Sequence, residues 1–305
     1  MNSGHDFYTA DQIRSRLGIS TYILSEQKPL DRDGLKLIAE AGIPTIEILD
    51  DREQFQEEDP STMKQIVAAC KDLGLSIASF HSRRIDYRER SIRTPVEFGP
   101  PNRFKGLKAE IERSKRIIDH LLDLGGSVWC THMGIEMEEL RPAFETLAKH
   151  YEGENIKLLI ENGGWMTNPV RAAIEWLDDI DHPQIGMLLD VGHTRNSAGW
   201  NPMTIPGEAS KILHLIGNRL QHIHLHDFVW SESRPPFFAL GLDHHPPFEG
   251  NIQWVEIFRV LKEIGYEGKF MFEPMPSKDS AGTIAKVGTV PERMEYLMKG
   301  GDLPG

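Results

Sequence analysis

The chain has 305 residues, 39% of them hydrophobic, and a formal net charge of −12. That apolar content supports a sizeable core and excludes intrinsic disorder, while the acidic balance argues against a nucleic-acid partner, because phosphate binding needs a basic footprint. No apolar run approaches the ~18 residues of a membrane span, and Met1-Asn2-Ser3-Gly4-His5-Asp6 lacks a charged-then-apolar leader pattern, so the expectations are no membrane partner and a cytoplasmic location.

Residues 1–15 read as an extension before the first strand, Leu17–Ile23. A helix over Asp31–Glu40 leads to the second strand, Ile43–Leu49. Pro60-Ser61 opens a helix whose Met63, Ile66, Val67, Cys70 and Leu73 recur at helical spacing until Gly74, and Leu75–Phe80 follows as the third strand. Lys105–Leu124 has Leu107, Ile111, Ile118 and Leu122 as its apolar face, stops at Gly125, and gives way to the strand Ser127–Thr131. Glu136–Tyr151 is helical and Ile156–Ile160 the fifth strand. Asn168-Pro169 pairs a cap with a first-turn proline, ahead of the sixth strand, Ile185–Leu189. A helix over Pro206–Asn218 precedes the seventh strand, Leu220–Leu225. Asn251 is the expected cap of a helix carrying Trp254, Ile257, Phe258, Leu261 and Ile264, and Lys269–Phe272 is the eighth strand. A C-terminal helix and tail over 275–305 remain, with Pro291 interrupting Thr283–Lys299.

Strict β-α alternation admits a closed barrel or an open doubly wound sheet. No Gly-x-Gly-x-x-Gly follows the first strand, where a dinucleotide-binding sheet needs it. The predicted fold is therefore α/β: a (β/α)8 TIM barrel forming a single domain over 1–305, a fold that runs to about 250 residues or more as one unit. Cys70 and Cys130 read as small buried hydrophobes. Two long connections follow strands and so fall on the catalytic face of a barrel. Ser82–Gly106 is rich in arginine, and Phe228–Gly250 is rich in Pro, Phe and His.

The strands are apolar inside, yet they end on ionisable residues: His81, His132, Glu161, Asp190 with His193 beyond it, His224 and Glu273. In a barrel these form one ring around the mouth. Buried carboxylates at Glu161, Asp190 and Glu273 require compensation, by a cation or by a structural hydrogen-bond ring. With His224 they make an oxygen-rich metal set that suits Mn2+ or Mg2+ first, with Co2+ or Zn2+ as alternatives. In His222-Ile223-His224-Leu225-His226 the three imidazoles share a face, which makes His222 a floor residue and His226 a candidate substrate contact. Arg83 and Arg84, placed to clamp an acidic or phosphorylated sugar, and Trp165, after the fifth strand, are further candidate contacts. Phe228, Trp230, Phe237, Phe238 and Phe248 are residues able to stack on a sugar ring or to pack the loop.

Four segments carry a resemblance: Ile160-Glu161-Asn162, Leu189-Asp190-Val191-Gly192-His193, His224-Leu225-His226-Asp227 and Phe272-Glu273. At these residues the chain resembles the xylose-isomerase-like TIM-barrel superfamily, from about Leu17 to Pro274. That superfamily holds sugar isomerases and epimerases, inosose dehydratases and endonuclease-IV-type AP endonucleases. The epimerase branch implies one metal on Glu161, Asp190, His224 and Glu273, and contact between His193 and a substrate oxygen. Asp243-x-His245 matches a pair that the endonuclease branch uses for extra metals, so His81, His132, His193, Asp243 and His245 are substrate contacts or additional ligands. The expected function is divalent-metal-dependent isomerisation or epimerisation of a small-molecule sugar, keto-sugar or sugar derivative, with Glu161 and Glu273 as acid and base. A lyase or dehydratase on the same site, a zinc phosphodiesterase and a non-catalytic sugar-binding barrel are the competing readings. Homo-oligomerisation is open, since barrels of this size commonly associate.

Overall fold

The computed structural model describes residues 7–26, 30–50, 60–82, 106–133, 137–163, 168–196, 199–229 and 243–302. Eight strands run in sequence order around a closed barrel: β1 (Leu17–Ser20), β2 (Thr45–Leu49), β3 (Ser76–Ser82), β4 (Val128–His132), β5 (Lys157–Glu161), β6 (Ile185–Asp190), β7 (Leu220–Leu225) and β8 (Phe270–Phe272). Every neighbouring pair is parallel, and β8 closes on β1 through Leu17↔Phe270. The near-continuous apolar runs are explained by this closure, which covers both faces of each strand; all six residues of β6 are buried.

The outer shell comprises α1 (Ala10–Arg14), α2 (Arg32–Glu40), α3 (Pro60–Leu73), α4 (Leu107–Asp123), α5 (Arg141–His150), α6 (Pro169–Ile180), α7 (Glu208–Ile216), α8 (Trp254–Glu263), α9 (Ser280–Gly288) and α10 (Val290–Met298). Capping chemistry sets several starts. Thr9 and Gln12 close a reciprocal capping box on α1, and the side chains of Asp31 and Asn168 accept from the backbones of Gly34 and Arg171.

Several boundaries differ from the sequence expectation, each for a local reason. β1 stops at Ser20, whose hydroxyl caps a 3-10 turn over Thr21–Leu24. The expected helix over 136–151 is divided into a 3-10 turn, Met137–Glu139, and α5. α7 begins after Gly207 and tightens into a 3-10 turn, Gly217–Arg219. Asn251 is not the cap of α8: Gln253 is, without a side-chain bond, while the Asn251 backbone N–H donates to Phe228 at 2.9 Å. The C-terminal helix breaks at Thr289 because Pro291, in the first turn of α10, has no N–H with which to extend α9. On α4 the buried stripe is rotated, with Ile117, Ile118 and Leu121 inside and Leu107, Ile111 and Leu122 half-buried. That rotation makes room for a buried polar group, Glu110, Arg113 and Ser114.

Cys70 and Cys130 are buried and unpaired to each other, as free thiols. Inside the barrel, Cys130, Leu159 and Leu188 form a small apolar cluster separate from the main strand–helix core. Between β2 and β3 the register slips at Ile46/Glu47, so Glu47 faces Ser79. The arginines of 83–105, with Trp165, Trp230, Phe237 and Phe238, lie outside the described residues. Phe228 is buried, and Phe248 packs on Trp254 at 5.4 Å beneath the Arg293 guanidinium, so these two rings serve loop packing. Among the described residues, no helix is long and apolar enough to cross a membrane.

Candidate functional site

The C-terminal ends of the strands bring seven ionisable side chains to one end of the barrel. β2 carries Glu47, β3 His81, β4 His132, β5 Glu161, β6 Asp190 and β7 His224, and Glu273 follows β8 directly. Glu47, Glu161, Asp190 and His224 have no exposed surface, and Glu273 keeps 3%. Four buried carboxylates demand opposite charge. Among the described residues that charge comes from imidazoles, not from lysine or arginine.

His81 spans the two glutamates, with Nε2 3.0 Å from Glu161 Oε2 and Nδ1 3.1 Å from Glu273 Oε1. His132 Nε2 lies 3.3 Å from Glu161 Oε2, and His193 Nδ1 2.9 Å from Glu161 Oε1. His224 Nδ1 lies 3.1 Å from Glu273 Oε2 and 3.9 Å from Asp190 Oδ2. Burial alone raises the Glu161 carboxyl, but His132 and His81 outweigh it and hold it well below the ordinary range. Glu273 is lowered against burial by His224 and His81, and Asp190 by His193 and His226. In turn, burial lowers His81, yet Glu161 and Glu273 push it up to about 10. The same opposition carries His193 up to about 9, with Asp190 the main raising charge.

The motif residues around Asp190 build its position. Asn162 clamps the strand end, accepting from the Asp190 N–H at 2.8 Å and donating to its carbonyl at 3.0 Å. Asp190 Oδ1 accepts the backbone N–H groups of Gly192 at 2.8 Å and His193 at 2.7 Å, a tight turn that swings His193 back over the site. A Cβ at Gly192 would stand 2.2 Å from His226 Cε1, so the glycine is required for that approach. The His244 N–H donates to His226 Nδ1 at 2.7 Å, leaving His226 Nε2 to donate to Asp190 at 3.0 Å.

Among the described residues, the buried polar atoms without a hydrogen bond include four at the site: Glu47 Oε1, Glu161 Oε2 and both ring nitrogens of His224. Glu47 Oε1 and His224 Nε2 lie 2.9 Å from each other, and Glu161 Oε2 lies 3.0 Å from His81 Nε2; such buried polar atoms are costly unless a shared proton or a further ligand satisfies them. Glu161, Asp190, His224 and Glu273 each offer a donor atom within 4.8 Å of the others, so the buried cluster can hold a metal ion. Its three carboxylates and one imidazole fit a hard divalent cation. Adjoining groups with the same spacing are His81–His132–Glu161, Asp190–His193–His244, Glu47–His81–His224–Glu273 and His81–Cys130–His224.

The loop before α8 arranges its residues differently from the Asp-x-His reading. The Asp243 carboxylate takes the Arg195 guanidinium and stands 4.0 Å from His193 Nε2. His245 bridges Asp227 through its backbone on both sides, at 2.8 and 3.1 Å, and joins none of the ligand groups among the described residues. His244 does join one: its φ of +57° turns the ring onto His226, with centroids 4.1 Å apart. Glu47, His244 and Arg195 were thus not singled out from the sequence. Arg83, Arg84 and Trp165 fall outside the described residues.

The profile of the family described as "Xylose isomerase-like TIM barrel" matches residues 35–297. An uncharacterized protein of Methanocaldococcus jannaschii is 27% identical over 157 residues, 50% of this chain and 48% of that one. The chain therefore spans about half the length of that relative. Among solved structures, a D-tagatose 3-epimerase-like protein superposes with TM-score 0.66 at 19% identity, covering 93% of this chain and 98% of its own. A xylose isomerase-like TIM barrel protein from Mycobacterium smegmatis, in complex with magnesium, gives 0.64 at 18%, covering 95% and 99%. A probable 3-DHS dehydratase from Bacillus anthracis gives 0.63 at 16%, covering 90% and 98%. At these identities the likeness shows the fold.

Proposed function

Because the chain belongs to the xylose isomerase-like TIM barrel family, we propose that it is a divalent-metal-dependent isomerase or epimerase acting on a keto-sugar or sugar derivative. Glu161, Asp190, His224 and Glu273 would hold the ion, Mn2+ or Mg2+. Bound there, the ion supplies polarisation of a substrate carbonyl and its neighbouring hydroxyl, which acidifies the C–H between them. The observation that carries the reading is the placement of Glu161 and Glu273 on opposite edges of the His81 ring, at 3.0 and 3.1 Å.

Both glutamates are held below the ordinary carboxylate range, so at neutral pH each is ionised and able to accept a proton. One would take the proton from one side of a bound carbon, and the other, having first drawn a proton from water, would return it on the opposite side, after which the first releases its proton to solvent. His193, aimed by the Asp190 turn, donates to or accepts from a substrate oxygen. The epimerase-like neighbour supports the substrate class, and the dehydratase neighbour supports elimination as the close variant, with the same proton abstraction expelling a β-substituent.

The test is solvent exchange. With Mn2+ added, the protein is expected to incorporate deuterium from D2O into at least one keto-sugar. A panel of keto-sugars that neither binds nor exchanges overturns the reading. A second reading, phosphodiester hydrolysis at a centre of several zinc ions, draws support from the His81–His132–Glu161 group beside the first. Against it, Arg195 already neutralises Asp243. Metal analysis separates the two, since near one ion per chain, or no nicking of an abasic duplex, removes the nuclease.

A further inference from the structure

We propose that Glu47 is the positioning residue of the metal centre, the carboxylate that fixes the orientation and tautomer of the ligand His224. The inference rests on the metal-centre reading above. Glu47 is fully buried on β2, and its two oxygens face different groups. Oε2 accepts from Ser79 Oγ at 2.7 Å and lies 3.2 Å from His222 Nε2, with Cys130 Sγ at 4.0 Å. Ser79 and His222 each precede a ring residue, His81 and His224, by two positions, so they stand on the same face one layer deeper. The register slip after Ile46 is what sets Glu47 opposite Ser79.

Held on that side, the carboxylate presents Oε1 to His224 Nε2 at 2.9 Å. Neither atom has a hydrogen-bond partner among the described residues, so each is the other's available complement. On its far edge, His224 directs Nδ1 toward Glu273 Oε2 at 3.1 Å and Asp190 Oδ2 at 3.9 Å. A proton kept on Nε2 by Glu47 leaves the Nδ1 lone pair facing the other three ligands. An imidazole that binds a metal through one nitrogen and gives its other N–H to a carboxylate gains a fixed ring plane and a more basic ligand atom. A side chain needed only to fill the barrel has no use for a buried charge; Cys130, Leu159 and Leu188 fill the adjoining space without one.

The test is to strip the full chain of metal and titrate it with Mn2+ and with Co2+. Glu47→Gln keeps the shape and removes the charge, so the expected result is roughly 10- to 100-fold weaker Mn2+ binding and shifted Co2+ absorption bands in a protein still folded by circular dichroism. Ser79→Ala loosens only the grip on Oε2, and its expected effect is smaller in the same direction. A folded Glu47→Gln protein with unmoved Co2+ bands and Mn2+ affinity within about twofold of the parent overturns the proposal, against the usual cost of losing such a partner. If Glu47→Gln does not fold, unchanged affinity and bands in Ser79→Ala overturn it instead. An unaltered chain that binds neither ion overturns the metal-centre reading itself, before any variant is made.

Discussion

Two regions of the molecule bury charge in different ways. At the end of β2, Asp50 pairs with Arg113 of α4, their side chains 1% and 2% exposed, and the guanidinium also donates to Ser82 Oγ at 3.3 Å. At the barrel mouth, Glu47, Glu161, Asp190 and Glu273 are comparably buried, but among the described residues their ion-pair partners are imidazoles. Arginine is always charged and cannot serve as a ligand, so the first pair is closed for good by the chain itself. Imidazole loses its proton and becomes a ligand when a cation arrives. The chain thus completes one buried charge with a guanidinium and leaves those at the mouth to groups that, on the proposed function, would exchange a proton for a metal.

The largest expected effects lie at the mouth. Glu161→Gln and Glu273→Gln should each lower deuterium exchange into a responsive keto-sugar by about 10^2- to 10^4-fold, the range for removing a general acid or base. Both variants should melt near the parent temperature in the absence of metal. If sugar binding is unchanged and no form exchanges, the site is a binding pocket without chemistry.

Arg113→Met should reverse that pattern. Removing the guanidinium from the buried Asp50 should destabilise the fold by about 3–5 kcal/mol in urea unfolding, while Mn2+ affinity of the folded fraction stays at the parent value. Replacing Asp50 by leucine in the same chain should recover most of the loss, because an apolar pair of similar volume tolerates burial. A parallel loss of metal affinity would mean that the two regions are coupled, and the contrast between them would fail.

Metal itself should act on one region only. Saturating the parent at about a hundred times its dissociation constant should add about 2.7 kcal/mol to unfolding, and a chelator should remove it. In Glu161→Gln the increment should shrink, whereas in Arg113→Met it should persist.

How much of this was legible in the sequence follows from which signals are local. The eight strands and their terminal carboxylates could be read because a buried parallel strand is a continuous apolar run, and Glu161, Asp190 and Glu273 each interrupt one at its end. Glu47 gave no such signal. It sits inside Thr45–Leu49, where a lone Glu between two isoleucines reads as simple alternation, and its partners Ser79 and His222 are 32 and 175 residues away. Between Asp243 and His245 of the Asp-x-His spacing, a left-handed backbone at His244 brings that ring against His226. Glycine signals such a conformation plainly in a sequence and histidine only weakly; at His244 the His226 ring and the Glu273 carbonyl, 2.7 Å from Nδ1, hold the side chain. Arg195 was hidden for the same reason as Glu47, since its partner Asp243 lies 48 residues on.

A smaller effect sharpens the contrast most. Asp227 is also fully buried and lies next to His226, yet it belongs to the closed kind. Its Oδ1 accepts from the backbones of Phe228 at 2.9 Å and Ile252 at 3.1 Å, and its Oδ2 from Trp254 Nε1 at 2.9 Å, so protein donors fill it without a cation. Trp254→Phe deletes one donor of three and retains a ring against Phe272, which the indole now stacks on at 5.9 Å. The expected cost is about 1.5–3 kcal/mol in chemical unfolding, the value of a hydrogen bond to a charged group. Mn2+ affinity should remain at the parent value, because Asp227 faces the loop and not the ring of ligands. Should affinity fall with stability, the boundary between closed and open charge runs through β7 on the other side of Asp227, and the loop it anchors is part of the metal centre.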